Sequence, residues 1–132
     1  MARARIPQGQ GDQAVAAALA ADADRTTTAT AVRYLLQVLA DRYPGGAVEV
    51  RVPPFGAVQC IEGLQHTRGT PPNVVETDAA VWLQLATGGR GWTDAVEAGA
   101  VRASGSRADL SGRLPVWRAA AGSGAIRDGG AA

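Results

Sequence analysis

The amino-acid sequence predicts a small α/β domain of the α+β kind, with a mixed sheet of four to five strands covered by helices. The first observation is a change of hydrophobic period, from about 3.6 residues before residue 44 to 2 residues after residue 47. The second is that helical and extended patterns then alternate towards the C-terminus. The third is a length of 132 residues without internal repeats, which suits a single hydrophobic core.

Two helices open the predicted fold. Residues 1–11 lack periodicity and are expected to form a flexible arm, after which Asp12 is expected to cap a short helix that ends at Asp22. A polar run at residues 24–28 offers caps for a second helix, which Pro44 ends. Its apolar face has i, i+3, i+4 spacing and consists of Val32, Leu35, Leu36, Leu39 and Tyr43.

Strands follow. Alternating valines over 48–52 predict a strand with one buried face, and the segment 55–62 predicts a second strand, antiparallel to the first across Pro53-Pro54. Because the two faces of the second strand differ little in polarity, we expect it to lie inside the sheet. The segment 63–72 is polar, with room for at most one short edge strand over 64–68.

The C-terminal half repeats the alternation on a smaller scale. A strand over 73–77 is expected to lead into a helix capped by Thr77 or Asp78, and a short helix over 93–98 precedes a strand over 101–104. Capping-box spacing at Ser106 and Asp109 predicts a last helix that carries Leu110 and Leu114. The sequence thus divides into an arm (1–11), one domain (12–115) and a flexible tail (116–132), of which Val116 and Trp117 are candidates for docking.

Composition argues against several classes of function. The net charge is +1 with acids interleaved among the arginines, so no basic face for nucleic acid is expected. No apolar stretch reaches the roughly 18 residues of a membrane span, and we expect no integral membrane association. A lone cysteine and a start without an apolar signal region favour a cytoplasmic location. All 13 basic residues are arginine, which is typical of high-GC bacteria.

The segment TDAAVWLQLATGGRGWTDAVEAGAVRASGSRADLSGRL, residues 77–114, resembles the C-terminal half of sterol carrier protein type 2-like domains. The residues that carry the match are Asp78, Trp82, Leu85, Gly88, Trp92, Ala95, Gly99, Val101, Gly105, Leu110 and Leu114. The stretches VEVRVPPFGAVQCIEG and HTRGTPPNVVETD are similar to small actinobacterial proteins of the sterol carrier family. With the N-terminal helices, the similarity extends over roughly residues 12–115.

The resemblance implies a five-stranded mixed sheet whose helices enclose an apolar tunnel for lipid-like molecules, without covalent chemistry or a cofactor. One departure is that the third strand would fall in 64–68, which is short and polar. The alternative is that the large apolar residues simply fill the core, since alanine-rich helices can approach a sheet closely. The candidate lining residues are Leu36, Phe55, Val58, Ile61, Trp82, Leu85, Trp92 and Leu110.

The loop HTRGTPPN concentrates polar side chains between prolines that restrict its backbone. Arg68 offers a bidentate fork to the head group of an amphipathic ligand or to an acidic partner protein, with His66 beside it. The alternatives are a structural salt bridge from Arg68 to Glu62 or Glu76, and a loop hydrogen bond for His66.

Catalysis is the least favoured class. Cys60, Glu62, Glu76 and Asp78 lie near His66 in sequence, but their spacing is not diagnostic of a nucleophile pair or a metal site. We therefore predict no catalytic residue, metal or cofactor. The first hypothesis is a carrier of an apolar or amphipathic small molecule, the second a protein-interaction module with a filled core, and the third an enzyme that uses the His66 region.

Overall fold

The computed structural model describes residues 4–20, 23–63 and 73–119. Four helices and four strands are present in this part of the chain. Their order and bounds are α1 (Gln8–Leu19), α2 (Arg25–Arg42), β1 (Val48–Val52), β2 (Gly56–Cys60), β3 (Val74–Thr77), α3 (Ala79–Thr87), α4 (Trp92–Glu97) and β4 (Val101–Ser104).

The strands form one mixed sheet in the order β2-β1-β3-β4. β1 is antiparallel to β2 and parallel to β3, and β3 is antiparallel to β4. In this register Val50 lies opposite Val58 on one side and Val75 on the other, so apolar side chains share one face of the sheet. The predicted α+β class with a mixed sheet and covering helices is confirmed.

The two faces of the sheet differ in their surroundings. One face carries the buried valines of β1, which pack against the helices in a single hydrophobic core. The other face is polar, with Gln59 and Ser104 exposed. Two ion pairs lie on it, Arg51–Glu49 at 3.1 Å and Arg102–Glu76 at 3.0 Å. The helices therefore form one layer and the sheet the second.

Capping side chains fix the starts of α2 and α3 where the sequence predicts them. The carboxylate of Asp24 accepts a hydrogen bond from the Thr27 amide at 2.7 Å, and that of Asp78 accepts one from the Val81 amide at 2.8 Å. Gly88, with φ of +88°, ends α3 in the left-handed conformation that glycine adopts without steric cost.

The first helix starts earlier than predicted. α1 begins at Gln8, and Asp12 lies inside it, where its carboxylate accepts a hydrogen bond from the Trp117 indole at 3.0 Å. The prediction was wrong because Gly9 and Gly11 have low helix propensity. Gly11 is nevertheless required in α1, since a Cβ there would lie 2.2 Å from the Tyr34 ring.

Among the described strands β2 lies at the edge of the sheet, but the neighbouring strand expected at 64–68 falls outside the described residues, so the interior position of β2 stays a prediction. Val58 and Cys60 face the helices, whereas Ala57 and Gln59 are exposed. β1 pairs with β2 on one side and with β3 on the other.

The predicted last helix is replaced by turns. The Asp109 carboxylate accepts a hydrogen bond from the Ser111 amide at 2.8 Å, and Gly112 follows with φ of +81°. A side chain that bonds to the backbone two residues onward competes with helix formation, which explains why the capping-box spacing misled the prediction. Leu110 is still fully buried in this conformation.

Residues near both ends of the described chain pack against the rest of the fold. α1 takes in residues 8–11 of the predicted arm. Val116 and Trp117 are buried, and both of their amides donate to the Ala86 carbonyl, at 2.9 and 3.1 Å. Residues 8–11 and the pair Val116 and Trp117 are thus packed with the rest of the described fold, and the division into arm, domain and tail stays a prediction.

Candidate functional site

A groove of about 700 Å³ runs between α2, strand β2 and the N-terminal segment. It is open to solvent along one side. Its lining combines aliphatic and polar side chains and consists of Ala4, Arg5, Ile6, Gln10, Thr30, Arg33, Leu36, Gln37, Ala40, Asp41, Gly56, Ala57 and Val58. We call this feature the α2–β2 groove.

Helical spacing places one wall of the groove. Thr30, Arg33, Gln37, Ala40 and Asp41 follow one another at intervals that bring them to one side of α2. The opposite side of α2 carries the leucines of the core. The wall is thus the polar side of an amphipathic helix, with Leu36 at the boundary between the two sides.

The N-terminal segment is fastened across α2 and forms the second wall. Gln37 bonds both backbone groups of Ile6, because its Oε1 accepts from the Ile6 amide at 3.0 Å and its Nε2 donates to the Ile6 carbonyl at 3.0 Å. Arg5 forms a two-point ion pair with Asp41. This segment therefore has a fixed place although its residues have no helical or strand pattern.

Strand β2 supplies the third wall, and Gly56 leaves it open. A Cβ on Gly56 would lie 3.4 Å from Cγ of Arg33 and 3.6 Å from Cδ1 of Leu36, which are ordinary contact distances. Val58 is half-buried beside it. The lining of the groove thus combines three aliphatic side chains, those of Ile6, Leu36 and Val58, which we call its floor, with the charged side chains of Arg5, Arg33 and Asp41, which we call its rim.

The predicted lining residues occupy different environments. Leu36 and Val58 line the α2–β2 groove, and Ile61 lines a second pocket described below. Trp82, Leu85 and Leu110 are buried in the core. Phe55 and Trp92 are half-buried against that core, and the guanidinium of Arg25 lies 5.1 Å from the Phe55 ring. Their role as ligand contacts stays a prediction.

The second pocket has a volume of about 430 Å³ and lies beside the C-terminal ends of α2 and β2. Three arginines meet there with one tyrosine. The lining residues are Arg42, Tyr43, Pro44, Ile61, Glu62, Arg107 and Arg113. We call it the arginine pocket.

Cys60 has the chemistry of a buried apolar residue. Burial raises the pKa of its thiol to about 11, against the smaller opposing effect of the positive charge of Arg113. At neutral pH the group is therefore a protonated thiol, which is a poor nucleophile. His66 and Arg68, the predicted polar contacts, lie outside the described residues.

Residues 4–20, 23–63 and 73–119 contain no group of three or more His, Cys, Asp or Glu arranged to hold a metal ion. In the same ranges, every helix is too short or too polar to span a lipid bilayer.

Sequence reasoning missed the polar residues of both pockets. Gln37 and Asp41 have the spacing of an ordinary solvated helix face, so only the position of Ile6 in space shows that they bind the chain's own N-terminal segment. Arg107 and Arg113 were missed because they fall in the segment predicted to be a helix. The sequence offers one signal, which is a high density of arginine and glycine in 102–113.

Comparisons with known proteins support the resemblance seen in the sequence. The search of curated proteins gave no match. The family model described as "Bacterial SCP ortholog" matches residues 24–116, a range that runs from the cap of α2 to the docked Val116 and includes all four strands. The chain therefore belongs to this bacterial SCP ortholog family, one of the sterol carrier protein-like families.

Proposed function

We propose that this protein binds an amphipathic, lipid-like molecule without covalent chemistry, in the α2–β2 groove. The observation that carries the proposal is the combination of an aliphatic floor and a charged rim in one groove of about 700 Å³. Binding sites for small molecules fall in the range of roughly 300 to 1,000 Å³. Membership of a sterol carrier protein-like family supports a lipid as the ligand class.

The floor suits an acyl chain. Ile6, Leu36 and Val58 present only methyl and methylene groups, and each buried methylene of a ligand contributes about 0.8 kcal/mol. Part of this gain is offset by the loss of ligand motion on binding. A single acyl chain of moderate length is therefore expected to bind with micromolar affinity at best.

The rim suits a polar head group. Arg33 lies on the helix wall, and the Arg5–Asp41 pair lies where the N-terminal segment crosses α2. An anionic head group would be attracted by Arg33 and would compete with Asp41 for Arg5. His66 and Arg68 are further proposed head-group contacts, in a part of the chain outside the described residues. No catalytic group or cofactor takes part in the proposed function.

Ligand entry into the core would require a larger change. Trp82, Leu85 and Leu110 are buried in the core, so they would contact a ligand only if the helices moved away from the sheet, whereas Phe55 and Trp92 are half-buried and outside the lining of the groove. We propose Leu36 and Val58 as the first contacts of a bound acyl chain, because they line the groove without such a movement.

The test is a substitution whose larger side chain occupies the α2–β2 groove and so blocks ligand binding. Gly56→Leu places a new side chain beside Arg33 and Leu36, at a backbone position without a positive φ. The matched control is Gly9→Leu, where nothing lies within 4 Å of the added Cβ. Delipidated protein is titrated with oleate and with lysophosphatidylcholine below their micelle concentrations, and native mass spectrometry counts bound molecules.

The expected result is one bound lipid per wild-type chain, with affinity at least tenfold lower in Gly56→Leu and unchanged in Gly9→Leu. Binding that Gly56→Leu leaves intact would move the ligand away from the groove. Absence of binding to either lipid would reject the proposal and favour the second candidate, a protein-interaction module. That candidate draws its support from the close packing of Trp82, Leu85 and Leu110 in the core.

A further inference from the structure

The geometry points to a second ligand site, in which the arginine pocket binds an oxyanion such as a phosphate group. This site is separate from the α2–β2 groove, because the two pockets share no lining residue. The inference therefore does not rest on the proposed lipid function.

Charge is the first argument. Arg42, Arg107 and Arg113 line the pocket together with one acid, Glu62. In residues 4–20, 23–63 and 73–119, neither Arg107 nor Arg113 forms an ion pair. The segment 64–72, which adjoins the pocket in sequence, contains no acidic residue. Arg107 and Arg113 thus bring two positive charges together without an ion pair from the described residues, which favours an external anion.

An unsatisfied donor is the second argument. Nε of Arg113 is buried and has no hydrogen-bond partner among the described residues. The guanidinium carbon of Arg113 lies over the Tyr43 ring, 5.5 Å from the ring centroid, in a cation–π contact. Buried donors are rarely left without an acceptor in proteins, so the Arg113 guanidinium has hydrogen-bonding capacity that the described residues do not use.

The neighbouring acid does not take this role. The Asp109 carboxylate accepts the hydrogen bond of the Ser111 amide at 2.8 Å. Bonds from Ser111, and to a smaller extent the positive charge of Arg113, lower the pKa of Asp109. Asp109 is therefore ionised and close enough to interact with Arg113, but it does not pair with it.

The backbone around the pocket is shaped to hold arginine side chains. Ile61 has φ of +71°, a value that costs a β-branched residue conformational energy. Its amide donates to the Tyr43 carbonyl at 2.6 Å and its carbonyl accepts from the Ala47 amide at 2.9 Å. Gly63 follows, and a Cβ there would lie 1.8 Å from Nη1 of Arg107. The guanidinium of Arg107 thus lies directly against the backbone of Gly63.

The second wall is fixed independently. The Arg107 amide donates to the side-chain oxygen of Asn73 at 2.9 Å, and the amide nitrogen of Asn73 donates to the Ala47 carbonyl at 2.8 Å. Asn73 is buried and ties the Arg107 loop to the start of β1. The backbone that carries Arg107 is consequently held in place before an anion binds.

The test measures anion binding to the full chain at low ionic strength, by titration calorimetry and by amide chemical shifts. One arm uses inorganic phosphate and the other uses lysophosphatidate below its micelle concentration. We expect saturable binding, with amide shifts in 61–63 and 105–113. Binding of phosphate would identify a free anion as the ligand, whereas binding of lysophosphatidate alone would identify a lipid head group.

Variants separate a site from general attraction. Arg113→Gln and Arg107→Gln are each expected to weaken binding by about tenfold. Arg107 is exposed, so its variant keeps the test valid if Arg113→Gln fails to fold. Glu62→Gln removes the opposing charge and is expected to tighten binding by about threefold. The control is Arg102→Gln, which changes an arginine with an 83% exposed side chain on the open sheet face.

Absence of saturable binding in both arms would overturn the proposal. So would a loss in Arg102→Gln equal to that in Arg107→Gln, because it would show attraction by net charge alone. A decrease in affinity in Glu62→Gln would also contradict the proposed geometry.

Discussion

Gly11 is explained by the residue packed against it. The ring of Tyr34 occupies the space that a Cβ at position 11 would take, at 2.2 to 2.6 Å from three ring atoms. Tyr34 is itself buried and cannot move aside. The loss of helix propensity at Gly11 is thus offset by the close approach of α1 and α2.

Gly11→Ala should destabilise the protein by about 1 to 3 kcal/mol, because the added methyl group forces the Tyr34 ring out of its position. Gly9→Ala is the control, since it lies in the same helix with open space around it. We expect Gly9→Ala to stabilise by up to about 1 kcal/mol. Urea unfolding monitored by tryptophan fluorescence measures both, and equal effects would contradict the packing argument.

Cys60 and Tyr34 are buried weak acids, and we expect the stability of the protein to fall when alkaline pH ionises them. Burial raises the pKa of Cys60 to about 11 and, with a contribution from Asp12, that of Tyr34 to about 12. The folded state holds these protons more tightly than the unfolded state does. The stability that the two groups contribute is therefore fully present below pH 9 and is lost as pH rises through 11. The chain has no lysine, one cysteine and two tyrosines, so few other groups titrate in this range.

The measurement is the urea midpoint of the wild type and of Cys60→Ala between pH 8 and 10.5. The wild type should lose stability over this interval, and the difference between the two proteins should narrow as pH rises. Tyr34→Phe reports the contribution of the second acid. An identical pH dependence in wild type and Cys60→Ala would show that Cys60 is not buried as described.

Caps determine where the helices of this chain begin. α3 is only nine residues long and places Trp82 and Leu85 in the core, so its start must be well defined. Helices of this length are marginal in water without tertiary packing and capping. The Asp78 carboxylate supplies the cap immediately after β3, which lets a strand pass directly into a helix.

Asp78→Ala should cost about 1 kcal/mol of stability, since it leaves the Val81 amide without its acceptor. Asp78→Asn keeps an acceptor oxygen and should cost clearly less. Thermal unfolding followed by circular dichroism compares the three proteins. Equal losses in both variants would assign the effect to charge and not to the cap.

The two ends of the described chain meet across the whole molecule. The Trp117 indole donates to the Asp12 carboxylate at 3.0 Å, although the two residues are 105 positions apart. Trp117 is 2% exposed and joins the core beside Val116. The C-terminal segment therefore closes the packing of α1 and α3 and is part of the folded domain.

Trp117→Ala should destabilise the protein by about 3 to 5 kcal/mol through the loss of a buried aromatic side chain. Trp117→Phe keeps most of that burial and should lose mainly the hydrogen bond to Asp12, about 1 to 3 kcal/mol. Trp92→Ala serves as the control, because Trp92 is only half-buried. Equilibrium unfolding in urea measures the series, and a neutral Trp117→Ala would show that the segment does not dock.

The amino-acid sequence alone determined the elements whose signals are local. α2, β1, β3, α3 and β4 follow from hydrophobic period and from capping residues such as Asp24 and Asp78, and these signals do not depend on distant contacts. The mixed sheet with helices on one face followed from the order of these elements. The family resemblance rested mainly on glycines and aromatic residues in the C-terminal half of the chain, and the family match confirms it.

Only the tertiary structure decided the features that depend on distant residues. Gly11 lies in a helix because of Tyr34, Asp12 binds Trp117, and β1 lies between β2 and β3. Both pockets have the same origin, since the Ile6–Gln37 bonds and the meeting of Arg107 with Arg113 join segments far apart in sequence. A linear pattern records the polarity of each residue, but the partner that satisfies it is fixed only when the chain folds.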